Sequence, residues 1–143
     1  MNVDSVALLK ECDAGCKMAV ESIGQLRTYA EENALKSVID KYWKRHEDFG
    51  EKCRRLLLEA GEDTQDPPKM ASAFAKFTTD VKMMVDKDAS KIAGLLVDGC
   101  NMGIKTTTEN LHKYSQADEA SVAIAKEMIK MEQDMSEEFL GFL

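Results

Sequence analysis

An internal repeat constrains the fold of this chain more than any other feature of its sequence. The segment Cys12–Ile23 returns as Cys100–Leu111, with Cys, Gly, Lys and Glu at the same offsets in both copies. Asp/Asn, Ser/Asn and Ile/Leu exchange at three further positions of the repeat. Because both copies carry a helical pattern of apolar residues, the repeat predicts two similar helix pairs that pack together.

Length and charge limit the class of protein. A chain of 143 residues has the size of one domain and can bury a full core without disulfide bonds. Lys and Arg number 19 and Asp and Glu number 26, so the net charge is −7, and it is spread along the chain. Nucleic-acid binding needs a basic face. We therefore expect a single domain over residues 1–143 that has no nucleic-acid partner.

The sequence also indicates where in the cell the protein is expected. Residues Met1–Asp4 carry no basic region and lead into no cleavable apolar stretch, so no signal peptide is expected. The longest apolar run, Ile92–Val97 with one glycine in it, is far too short to cross a bilayer. We expect a cytoplasmic protein without a membrane partner. Its four cysteines are then reduced, and they show neither a CxxC pair nor a zinc-ligand spacing.

Apolar residues recur every three or four positions in five stretches of the chain. These stretches predict helices over about 3–31, 34–60, 69–86, 89–116 and 118–141. Asn33 is the expected cap of the second helix, Gly61 is its expected end, and Asp88 or Ser90 is expected to begin the fourth. No alternation typical of a strand occurs, so an all-α fold is predicted.

The connections between these helices suggest a topology. Short turns join the first helix to the second and the fourth to the fifth, whereas the stretch 61–87 is long and includes the short third helix. Helix-bundle rules place two tightly turned pairs joined in this way among four-helix bundles with one crossover.

The chain resembles ferritin-like proteins, and it is similar above all to small bacterial bundles that share the rubrerythrin and bacterioferritin scaffold. The resemblance covers nearly the whole chain. It rests on helix lengths, the crossover, the repeat and the phrases Asp13–Gly15 and Leu95–Gly103. It implies a ferritin-like four-helix bundle with one long crossover carrying an additional short helix.

The resemblance also implies a degenerate metal site. Ferritin-like di-iron proteins place one Glu on each of two helices and Glu-x-x-His on each of the other two, all facing inward. The corresponding positions here are Cys16 on the first helix, Ile104 on the fourth, Trp43–His46 on the second and Met128–Met131 on the fifth. Of the expected ligands only His46 is present. We expect a centre without carboxylates, in which Trp43 fills the space.

His46 has two interpretations. It lies in the apolar stripe of the second helix beside Tyr42, where it is either a core histidine bonded to a polar neighbour, such as Thr107 or a buried water, or a metal ligand. As a ligand it would share a rebuilt site with Cys16 and Met131, because Cys, His and Met suit Cu(I), Zn or haem iron. Cysteine and methionine are also ordinary core residues.

Two other patterns have simpler explanations. Cys12 and Cys16 share a helical face, but residues four apart within one helix rarely have disulfide geometry, so buried thiols are expected. Glu109 and His112 spell Glu-x-x-His. At about 100° per residue, however, Glu109 points away from the core, so both side chains are expected in solvent.

These patterns favour a non-enzymatic binding, interaction or stress-associated protein that forms a homodimer through an exposed helix face. The alternative is a metal-binding protein with a site rebuilt around His46 and Cys16. A metal ion is the one cofactor that the sequence leaves open. The nine methionines suit a plastic core or an adaptable groove, and the small-molecule or protein partner is not specified.

Overall fold

The computed structural model describes residues 1–67 and 70–143, and for residues 70–74 it describes the backbone alone. The described part of the chain contains five helices and no strand. The helices are α1 (Val3–Arg27), α2 (Asn33–Glu59), α3 (Met70–Lys82), α4 (Ala89–Lys113) and α5 (Glu119–Leu140). The prediction of an all-α fold is confirmed. The third helix ends at Lys82 instead of about residue 86. Its first predicted residue, Lys69, lies outside the described residues.

The helices pack in the two pairs that the repeat predicts. The most extensive interfaces join α1 to α2 and α4 to α5, and the short connections make the helices of each pair antiparallel. Helix α1 also packs against α4 and α5, while α2 meets α5 along a narrower interface. Helix α3 contacts α1 and α4. The two helix pairs therefore share one interior, with α3 on its outside.

Three helices begin at a side-chain cap. The side chains of Asn2, Asp88 and Asp118 each accept a hydrogen bond from the backbone N–H three residues further on. The start of α4 at Asp88 is therefore confirmed. The expected cap at Asn33 is wrong, because Asn33 is already the first helical residue of α2. Glu32 is the cap residue, and its side chain makes no capping hydrogen bond.

The helix ends follow the local hydrogen bonds. Gly61 has a φ of 76°, its N–H donates to the Leu58 carbonyl (3.0 Å), and the next N–H donates to the Leu57 carbonyl (2.9 Å). This left-handed end is the glycine stop predicted for α2. Helix α1 ends at Arg27 instead of about residue 31, because tighter three-residue turns continue from there to Ala30.

Most of the described core consists of two apolar clusters with a polar gap between them, and Ala14 belongs to a small third cluster. Along α2 the first cluster ends at Tyr42 and the second begins at Phe49. Along α5 the second cluster ends at Met131 and the first resumes at Met135. The residues in these gaps therefore lie between the two clusters and are surrounded by apolar side chains.

Candidate functional site

A buried histidine and a buried glutamate fill the gap between the two clusters. His46 of α2 has no exposed surface. Its Nδ1 lies 2.7 Å from the backbone carbonyl oxygen of Tyr42, one helical turn earlier, and its Nε2 faces the carboxylate of Glu132 on α5. A carbonyl oxygen only accepts hydrogen bonds, so Nδ1 carries a proton and donates it. Nε2 is therefore the nitrogen whose protonation depends on Glu132.

Two opposing effects set the charge of His46. Burial disfavours the imidazolium and by itself would lower the pKa of His46. The hydrogen bond to Glu132, the negative charge of that carboxylate and the Tyr42 carbonyl act in the opposite direction and outweigh burial. The pKa of His46 is therefore raised above its ordinary value of 6.5. The pair favours an imidazolium bonded to a carboxylate.

The expectation of a centre without carboxylates is wrong, because Glu132 of α5 is buried there. Glu132 is 4% exposed. It lies next to Gly103 of α4, where an added Cβ would come within 3.2 Å of the Glu132 carboxyl carbon. Cys100 is a further neighbour, and its thiol pKa is raised first by burial and then by the charge of Glu132. A buried acid is tolerated at this point because His46 provides a charged partner from the opposite helix.

A second buried carboxylate was also not expected. Asp13 of α1 is 1% exposed, and its Oδ1 accepts a hydrogen bond from Arg54 Nη1 at 2.7 Å. Lys17 Nζ lies 3.2 Å from its other oxygen and 2.9 Å from Asp66, in the connection after α2. Within residues 1–67 and 70–143 no buried side-chain nitrogen or oxygen that the structure describes lacks a hydrogen-bond partner. Both acids are thus compensated inside the fold.

Little free space lies beside the histidine–glutamate pair. A cavity of about 30 Å³ is bordered by His46, Glu132, Cys100 and Ser22, and Phe77 of α3 also lines it. This volume suits one or two water molecules and excludes a substrate. On its other side the His46 ring borders a surface pocket of about 210 Å³ between α1 and α2.

Two of the three predicted metal ligands, Cys16 and Met131, belong to one apolar core cluster. Cys16 is buried and borders the same surface pocket as His46, whereas Met131 borders a different pocket, between α2 and α5. In the described part of the chain no three His, Cys, Asp or Glu side chains are grouped so that they could hold a metal ion. The metal site around His46, Cys16 and Met131 stays a prediction, and the side chain that bonds the His46 ring is Glu132.

Several smaller expectations are settled by side-chain positions. Glu109 and His112 are exposed, as predicted. The expected inward residue Ile104 is only half-buried, because the neighbouring Gly103 takes the inward position. Thr107 bonds to the sulfur of Met128 (3.8 Å) and not to His46.

Trp43 does not fill the centre. Its side chain is half-buried, and its indole nitrogen lies 3.8 Å from the place where a Cβ of Gly24 would stand. Trp43 therefore lies where α2 meets α1, because residue 43 is on the flank of the stripe that contains Tyr42 and His46.

The cysteines are buried, as predicted. Cys12 and Cys16 share one core cluster with Cys53 of α2. Burial, followed by the neighbouring thiol of Cys53, raises the pKa of Cys12 and of Cys16. Burial, followed by the charge of Asp13, raises the pKa of Cys53 to about 12. Protonated, enclosed thiols are weak nucleophiles.

The chain was compared with known proteins. It matches no protein-family model, no curated protein and no solved structure at a significant level. Among the described helices, none has both the length and the apolar composition that a membrane crossing requires. The function is therefore argued from the site itself.

Proposed function

We propose that this chain is a ferritin-like four-helix bundle, with α3 on its crossover, that works as a binding or interaction module and not as an enzyme. The pairing of α1 with α2 and of α4 with α5 supports this topology, as does the long connection between the pairs. The resemblance of the sequence to ferritin-like proteins rests on the same helix lengths, crossover and repeat and agrees with it.

The observation that carries the proposal is the closed centre of the bundle. In bundles of this topology, metal and cofactor sites are built in the core from side chains on facing helices. Here His46 and Glu132, from facing helices, bind each other at that level. The cavity of about 30 Å³ beside them leaves no room for a substrate. Recognition of a partner would therefore take place on the outer surface.

The surface offers apolar side chains for such a partner. Met83 and Val85, which follow α3, are 72% and 92% exposed, and Leu140 and Leu143 at the end of the chain are more than half exposed. Exposed apolar side chains mark a surface for another protein where they form one contiguous patch. We propose a homodimer as the assembly, and the net charge of −7 disfavours nucleic acid as a partner. The cytoplasmic location and the stress-associated role are further proposals, the second from the resemblance alone.

The proposal is tested by elemental analysis of protein purified without a metal-affinity tag, together with sedimentation equilibrium. We expect metal far below one atom per chain and a dimer at micromolar concentration. Stoichiometric metal that disappears in His46→Ala, but persists in the matched surface variant His112→Ala, would overturn the proposal. That result would establish the alternative, a metal-binding protein whose site includes His46. A monomer at all concentrations would contradict the homodimer.

A further inference from the structure

Most of the polar contacts described between α2 and α5 share one arrangement of donors and acceptors. The lysine, arginine and tyrosine pairs described across this interface have their donor on α2 and their acceptor on α5, and in the His46–Glu132 pair the donor is whichever group holds the proton. The pairs are Lys41–Glu138, Tyr42–Glu138, Arg45–Asp134, His46–Glu132 and Lys52–Glu127. Lysine, arginine and tyrosine keep their protons at neutral pH, whereas histidine does not necessarily do so. The middle of this interface therefore depends on a titratable donor.

The geometry around His46 requires a proton between the ring and Glu132. Both ring nitrogens face oxygen atoms that act as acceptors, the Tyr42 carbonyl and the Glu132 carboxylate. A neutral imidazole has one N–H, and the Tyr42 carbonyl uses it. Nε2 of a neutral ring would then turn its lone pair toward an acceptor-only carboxylate in a water-poor interior. Two buried acceptors facing each other are destabilising.

We propose that the His46–Glu132 pair is a proton-operated latch, in which one proton held between Nε2 and the carboxylate fastens the middle of α2 to α5. Loss of that proton releases α2 from α5 at this point. The contacts between α1 and α2 and between α4 and α5 remain in place. The latch goes beyond the proposed binding role and does not depend on it.

The surroundings of His46 single out Glu132 as its electrostatic partner. Titratable or charged groups near the ring come from α1, α2, α4 and α5, and α3 contributes the uncharged Phe77. These groups are Cys16, Lys17, Arg45, Glu47, Arg54, Cys100, Glu132 and Asp134. Arg45 disfavours a charged ring, and the direct bond to Glu132 is the largest contribution that favours it.

The sign of the pH dependence follows from the raised pKa of His46. A proton held more tightly in the folded chain than in the unfolded chain stabilises the fold, fully so below the ordinary value of 6.5. This stabilisation is lost as the pH rises through the pKa of His46 in the folded protein. The cavity of about 30 Å³ beside Glu132 can accept a water when the proton leaves.

The first test is nitrogen-15 NMR of the histidine ring nitrogens in the wild-type protein, with the exposed His112 as internal reference. We expect both nitrogens of His46 to be protonated at neutral pH, with correlations that identify an imidazolium. A neutral His46 ring beside an ionised Glu132 carboxylate, the latter read from its carbon-13 shift, would overturn the proposal, because no proton would then lie between the two groups.

The second test replaces the acceptor. In Glu132→Gln the carboxamide can donate an N–H to Nε2, so the variant accommodates a neutral His46. Wild-type stability, followed by the fluorescence of Trp43 in denaturant, is expected to fall as the pH rises above 6.5. The variant is expected to show no such fall. Glu138→Gln is the matched control, because it removes another α5 carboxylate from the same interface and should keep the wild-type slope.

Parallel pH profiles for wild type and Glu132→Gln, or loss of the slope in Glu138→Gln as well, would refute the latch. If Glu132→Gln does not fold, the NMR measurement decides on the wild-type protein alone.

Hydrogen exchange distinguishes a latch, which opens locally, from a contact that stabilises the whole fold. Protection factors should drop above the His46 transition in residues 42–49 and 128–135 before they drop in α4, and a uniform loss along all helices would count against local release.

Discussion

The fold buries two carboxylates, and it compensates them in different ways. Asp13 lies at the edge of the α1–α2 interface, where Arg54 and Lys17 reach it with side chains that stay about one-third exposed. Glu132 lies at the centre, where its partner His46 has no exposed surface. The edge site uses two permanent cations, whereas the central site uses one titratable ring. The partners of Asp13 thus stay charged, whereas the contact of Glu132 depends on the protonation of His46.

Redundancy and depth make the two sites unequal in energy. Asp13 keeps one cation if it loses the other, and solvent near Arg54 and Lys17 screens the change. Glu132 has no second cation in the contacts described for it, so loss of His46 leaves a charged group in an apolar interior. The central pair should therefore be the more sensitive of the two to substitution and to pH.

The largest expected effect comes from His46→Leu. The leucine fills similar space but leaves the Glu132 carboxylate buried without a partner, which costs about 3–5 kcal/mol. The free energy of unfolding, measured by denaturant titration with Trp43 as the probe, should fall by that amount at neutral pH. A loss below about 1 kcal/mol, the range of exposed ion pairs, would show that the centre carries no unpaired charge.

A smaller effect is expected at the edge site. Arg54→Met retains the aliphatic part of the side chain and removes one of the two cations beside Asp13. Because Lys17 remains 3.2 Å from that carboxylate, we expect a loss of about 1–2 kcal/mol in the same titration. A loss as large as that of His46→Leu would mean that the two buried acids do not differ in the way described.

The two repeat glycines allow a matched comparison. A Cβ at Gly103 would lie 3.2 Å from the carboxyl carbon of Glu132, which His46 holds in place. A Cβ at Gly15 would lie 3.0 Å from the terminal methyl of Met128, which can rotate away. We expect Gly103→Ala to destabilise by about 1–2 kcal/mol.

The matched variant Gly15→Ala should be close to neutral, because the gain of about 1 kcal/mol in helix propensity offsets the crowding. Thermal unfolding followed by circular dichroism measures both variants. Equal effects at the two positions would indicate that Glu132 is as free to move as Met128.

The sequence was informative wherever a local pattern decides the structure. The repeat predicted the pairing of helices, and the apolar stripes predicted most of the core, including Cys16, His46 and Met128. The glycine stop at Gly61 and the cap at Asp88 follow from local backbone chemistry and were also found. These features depend on residues close together along the chain.

The buried acids could not be predicted in the same way. Glu132 lies four residues after Met128 and three before Met135, so it shares their helical face, and this spacing was the available signal. Acidic side chains are rarely fully buried unless they are paired, so an acid is not predicted to belong to the core while its partner is unknown. The partner of Glu132 comes from a helix far away in the sequence, and the register between α2 and α5 is set by packing and not by either helix alone. For Asp13, the partner Arg54 likewise comes from another helix, although its other cation, Lys17, lies one turn further along α1.

The most direct test of the central pair is a double-mutant cycle with His46→Leu, Glu132→Leu and the double variant. Each single change leaves a buried polar group without its partner, whereas the double change replaces the pair by two apolar side chains. We predict that the double variant is more stable than His46→Leu. If the two single losses simply add in the double variant, His46 and Glu132 are not coupled, and their bond does not hold α2 to α5 at the centre of the fold.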